Sequence, residues 1–128
     1  MDDQTIRKMM SVLDAMIITD FNGRIILLNP YAERLIDVTN EQVILQPINK
    51  FMILVDTRTG RRIEDIVGKI IRESLVIGHE SNVAIVSIMG KKREIALKAQ
   101  PILDRRKDLI GVIVRIREKL QSEKKVKR

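Results

Sequence analysis

The chain has 128 residues, 45% of them hydrophobic and almost all of those aliphatic, with a formal net charge of +7 and no cysteine. That composition excludes disulfides, thiolate metal sites and cysteine nucleophiles. No apolar run reaches the about 20 residues needed to span a bilayer, and the start, Met1-Asp2-Asp3-Gln4, lacks the basic-then-apolar pattern of a secretory leader.

The length fits one domain, and the missing cysteines suit a reducing, cytoplasmic setting. Phe21, Tyr31 and Phe51 are the aromatic side chains, so few flat surfaces exist for stacking a ring-shaped ligand.

Residues 3–16 show apolar positions at three- and four-residue steps (Ile6, Met9, Met10, Leu13, Met16), which predicts an amphipathic helix. Its stripe would cover the domain's own sheet or pair with a second copy. Two β-branched runs follow, Ala15–Phe21 and Arg24–Leu28. The Asn22-Gly23 between them signals a hairpin whose two turn residues both accept positive φ.

Asn29 is a favoured N-cap and Pro30 a favoured first helical residue. They predict a helix over Pro30–Ile36 with Ala32, Leu35 and Ile36 inward. Thr39-Asn40-Glu41 caps a further turn through Leu45, and Pro47 breaks it. Phe51–Val55 is apolar but too short to type by period. Thr57–Gly60 reads as a turn.

From Ile63 to Leu75 the pattern is helical, with Gly78 closing it. Gly68 sits inside that helix, where it fits close packing against a sheet, or else room for a ligand. Glu64 and Asp65 suit the first helical turn, where the dipole favours carboxylates. Adjacent helical residues diverge, so the two do not form an acid/base pair.

The last third predicts strands over Asn82–Met89, Arg93–Ala99 and Leu109–Ile116. Turns fall at Gly90-Lys91-Lys92 and Asp104–Asp108, and Pro101 ends the pairing of the second strand. Hairpins at both ends with helices between them predict an α+β fold, an antiparallel sheet with helices on one face.

The charge is concentrated at the C-terminus: from Arg115 to Arg128 there are seven Lys/Arg against two Glu. The reading is a basic helical extension. Nucleic-acid binding through it is the alternative, weakened because no aromatic residues interleave with the charges.

The hairpin Met16-Ile17-Ile18-Thr19-Asp20-Phe21-Asn22-Gly23-Arg24-Ile25 resembles that of a PAS domain. So do the helix start Leu28-Asn29-Pro30-Tyr31-Ala32-Glu33-Arg34-Leu35-Ile36, the Thr59-Gly60 turn, Gln100-Pro101-Ile102 and Gly111-Val112-Ile113-Val114. The resemblance implies a five-stranded antiparallel sheet cupping helices, flanked by N- and C-terminal helices. It also implies a dimer sitting upstream of an output domain such as that of a histidine kinase, diguanylate cyclase or transcription regulator. The expected layout is an N-terminal helix over 1–13, the domain over 14–117 and a basic linker over 118–128.

The junction after the last strand reads Arg117-Glu118-Lys119-Leu120, with Leu120 where the family commonly has Thr. Family members that form flavin adducts or thioester-linked chromophores need a cysteine, and haem-binding members use a histidine on the long helix. Here the lone histidine, His79, follows that helix and reads as a surface position.

No phosphate loop, zinc-spaced set or Ser-His-Asp constellation is present, so the chain reads as non-catalytic, with no metal or cofactor. A ligand, if one binds, would be small and apolar. Its contacts would be Ile63, Val67, Ile70, Ile71, Ile95, Leu97, Val112 and Val114. A dimer interface is expected at Ile6, Met9, Met10 and Leu13. The structural junctions are expected at Asn22, Gly23, Asn29, Pro30, Arg117 and Glu118.

Overall fold

The computed structural model describes residues 14–119. The expected N-terminal helix stripe at Ile6, Met9, Met10 and Leu13 and the tail beyond Lys119 lie outside them. Strand β1 (Asp14–Asp20) and β2 (Ile25–Leu28) lead into helices α1 (Pro30–Ile36) and α2 (Asn40–Val43) and a 3-10 turn (Ile48–Lys50). Strand β3 (Ile53–Asp56), helix α3 (Ile66–Glu73) and strands β4 (Ile77–Val86), β5 (Lys92–Leu103) and β6 (Leu109–Glu118) complete the chain.

All six strands form one antiparallel sheet in the order β2-β1-β6-β5-β4-β3. The expected α+β architecture is present, with one strand more than the five that the resemblance implies. The sixth is β3, built from the apolar run that periodicity left untyped. Its pairing with β4 (Leu54 opposite Ile85) turns Leu54 into the core.

Alternation places Ile17, Ile95, Leu97, Ala99, Val112, Val114 and Ile116 on one sheet face. Helix α1 packs over β1 and β2 there, and α3 over β5 and β6. These side chains join Ala32, Leu35 and Ile36 of α1 and Ile66, Val67 and Ile70 of α3 in one aliphatic cluster.

The hairpin turns share one device. Asp20 Oδ1 accepts from Asn22 N and Arg24 N at 2.8 and 3.0 Å. Asp104 Oδ1 does the same for Arg106 N and Asp108 N, and Ser87 Oγ for Met89 N and Lys91 N. A short polar side chain satisfies the turn's amides while the third loop residue takes positive φ: Gly23 (78°), Gly90 (84°) and Lys107 (68°). The Asn22-Gly23 turn therefore differs from the expected form. Gly23 alone adopts positive φ, and Asp20 supplies the missing order.

Several expected boundaries move. Residues 14–16 are strand, not helix, because β1 starts at Asp14. Helix α3 starts at Ile66 behind an Asp65 N-cap, so Ile63 and Glu64 lie before it. Ile63 instead extends alongside β3, its N–H bonded to Leu54 O at 2.8 Å. The helix ends at Ser74 (φ 53°), and Gly78 belongs to β4.

Gly68 is explained by neither expected role. A Cβ there would collide with the Asp65 carboxylate, which accepts from Gly68 N. Strand β4 begins five residues earlier than expected, interrupted by a bulge between His79 and Val83. Pro101 does not end β5: it pairs with Val112, past Ala99, the last β5 residue opposite β4. There β5 has lost one neighbour, and such edge positions tolerate proline. Strand β6 runs through Arg117 and Glu118, which are strand and not the start of a helix.

Candidate functional site

The first feature of interest is where the chain enters and leaves the sheet. Asp14 pairs with Arg117, so the first residue of β1 and the end of β6 are direct neighbours. Asn29 fastens the entry. Its Oδ1 accepts from Met16 N and Ala32 N, each at 2.9 Å, and its Nδ2 donates to Asp14 O at 2.9 Å.

The residue that caps α1, with Pro30 at its first position, thus also holds the start of β1. The exit is fastened separately. Arg93 pairs with Glu118 at 3.2 Å, and Lys119 N donates to Glu94 O at 3.0 Å. Across the outer sheet face Lys98 and Arg115 stand directly opposite each other, an unfavourable like-charge pair.

The Asn22-Gly23 turn reaches the helical layer. Gly23 O accepts from Ile48 N at 3.0 Å, and its Cα hydrogens face Val67 and Ile71 of α3. Asn40, read from sequence only as part of a cap, completes the β2 edge: its side chain accepts from Leu28 N and donates to Leu28 O at 2.8 and 2.7 Å. Its sequence signal is the Thr-Asn pair, which reads equally as an ordinary helix start.

The eight expected ligand contacts converge on one region. Val67, Ile70, Ile95, Leu97, Val112 and Val114 are 0–3% exposed and pack together, with Ile63 and Ile71 partly buried against them. His79 lies in β4 opposite Leu97, half-buried on the sheet face that carries α3. Among the described residues no group of three His, Cys, Asp or Glu is placed to hold a metal ion. No described helix is long and apolar enough to cross a membrane.

The segment leading into α3 borders two hollows. One cavity of about 260 Å³ has Met52, Leu54, Ile63 and Ile66 as its apolar lining, with Asn49, Arg62, Glu64 and Asp65 around them. A wider hollow of about 530 Å³ along the same segment reaches Lys69, Arg72, Ile77 and His79. Asn49 Nδ2 donates to Asp65 Oδ1 at 2.9 Å, tying the 3-10 turn to the α3 cap. Asn49 and Arg62 carried no motif that marked them in the sequence.

The electrostatic outlier is at the β3 turn. The side chain of Arg58, and then its backbone N–H, hold the Asp56 carboxyl below the usual carboxylate range. Asp56 in turn raises Arg58. Both belong to turn construction, with Asp56 Oδ1 accepting from Arg58 N at 2.8 Å.

Comparison with known proteins agrees with this architecture. None of the curated proteins matches the chain. Among solved structures, the PAS domain of a protein from Colwellia psychrerythraea is 24% identical with a TM-score of 0.68, covering 91% of this chain and 94% of its own. The PAS domain of nitrogen regulation protein NR(II) from Vibrio parahaemolyticus is 16% identical with a TM-score of 0.63, covering 92% and 100%. A PAS domain from a two-component sensor histidine kinase is 14% identical with a TM-score of 0.60, covering 91% and 94%. The model of the PAS fold matches residues 9–119, and the chain belongs to that family of sensory modules.

Proposed function

We propose that this PAS domain is a dimeric relay that passes a signal from the segment before Asp14 to an output domain after Glu118. The observation that carries this reading is the Asp14–Arg117 pairing, which joins entry and exit across one strand boundary. A displacement of the N-terminal segment acts on β1, and β1 shares its whole length with β6.

The apolar stripe Ile6, Met9, Met10 and Leu13 would meet its counterpart in a second copy. The outer sheet face offers half-buried Met16, Ile18 and Ile113. The relay needs no catalytic group and no resident ligand in the core. Sensor histidine kinases are one output that fits, since two of the similar domains come from nitrogen regulation protein NR(II) and from such a kinase.

Light scattering of the full chain tests the dimer. The wild type is expected to be dimeric at high micromolar concentration, and Met9→Asp with Leu13→Asp monomeric with an unchanged fold by circular dichroism. A wild type that stays monomeric would leave the relay without its interface.

A further inference from the structure

We infer that the cavity beside the entry to α3 is a binding site for a small aliphatic amino acid in its zwitterionic form. This goes beyond the relay reading and does not rest on it.

Three chemistries meet there. Met52, Leu54 and Ile66, all nearly buried, form an apolar floor. Arg62 brings a guanidinium whose one hydrogen bond among the described residues, to Asn49 O, is long at 3.4 Å. It forms no ion pair among the described residues. Glu64 brings a carboxylate with no hydrogen bond or ion pair among the described residues. A guanidinium with unspent donors is a receptor for a carboxylate, and a free carboxylate is a receptor for an ammonium.

The neighbouring Asp65 is not available for that role. It already caps Gly68 N, accepts from Asn49 and lies 4.0 Å from Arg72. Arg62 and Glu64, both exposed, therefore remain as the oppositely charged pair at the cavity, two residues apart along a segment that Ile63 anchors to β3. The volume, about 260 Å³, lies just below the range of about 300–1,000 Å³ typical of drug-sized ligands. It selects a ligand with a short side chain. A carboxylate alone would leave Glu64 unpaired, and an amine alone would leave Arg62 unpaired.

Titration of the full chain with L-valine, isovalerate and isobutylamine, followed by amide chemical shifts, tests the site. L-valine is expected to shift the amides of Asn49 and residues 62–66 saturably. The two probes that lack one charge should bind about tenfold more weakly or worse, the worth of one charge-assisted hydrogen bond. Arg62→Gln and Glu64→Gln should each weaken L-valine by a similar factor without changing the thermal midpoint. The inference is overturned by no saturable shift, by equal response to all three probes, or by variants that bind as the wild type does. Shifts confined to the α3–β5–β6 core would also overturn it and would favour the internal pocket instead. The titration reads the cavity whether or not the chain dimerises, so its failure leaves the relay untouched.

Discussion

At the scale of single residues, Asn29 links local sequence preference to the global fold. It was legible as a helix cap, and the structure adds that the same carboxamide holds the first residues of β1. Removing three bonds worth about 1 kcal/mol each sets the expectation for Asn29→Ala, a loss of about 2–3 kcal/mol in chemical denaturation. Asn29→Asp keeps both acceptor bonds and loses the donor, so its loss should be smaller.

Asp56 gives a pH-dependent counterpart. Its carboxyl is depressed in the folded state, so its contribution is present above the unfolded carboxylate range. It fades as pH falls through the folded value. The expected NMR titration midpoint of Asp56 lies below that of an ordinary aspartate, and Arg58→Ala should raise it only part of the way back, because the backbone N–H of residue 58 still donates to the carboxylate.

At the scale of elements, the start of α3 shows two preferences in opposition. Alanine in place of Gly68 favours the helix by about 1 kcal/mol, but its Cβ displaces the Asp65 carboxylate and costs a cap of about the same size. Gly68→Ala alone should therefore be near neutral, while in an Asp65→Ala background it should stabilise by about 1 kcal/mol. A double-mutant cycle reads the difference.

The same element shows what the sequence did and did not reveal. The apolar spacing from Ile63 to Leu75 located the buried stripe correctly. It could not distinguish a helical Ile63 from an extended one, because Ile63 contacts the core either way. Short elements failed for a related reason. Ile53–Asp56 has too few residues for a period, and only pairing with β4 makes it a strand. Asp104 was visible as a turn residue, whereas Asp20 and Ser87 read as strand ends; the matching amide bonds of all three depend on the loop path and were not legible. At the cavity, Glu64 read as a first-turn helix carboxylate and Arg62 carried no signal, and the fold sets both around one hollow.

At the scale of the molecule, strand order predicts a gradient of protection. Strands β1, β6, β5 and β4 are paired on both sides, while β2 and β3 are the edges of the sheet. Amides of Ile17, Leu97 and Val114 are expected to exchange with solvent only through global unfolding. Those of Ile53–Asp56 should exchange through local opening. Hydrogen exchange on the full chain checks both, and equal protection of β3 and β6 would contradict this.

The Asp14–Arg117 pairing also fixes how the domain bears load. Antiparallel neighbours whose free ends leave side by side are loaded as a zipper. Tension between the two flanking segments falls first on one rung, at Asp14 and Arg117, and then on the next. A parallel arrangement of the same two strands would share that tension across all rungs at once. The domain is therefore compliant to separation of its flanks and stiff to sliding between them, and the Asn29 and Glu118 attachments stand at the rung where opening would begin.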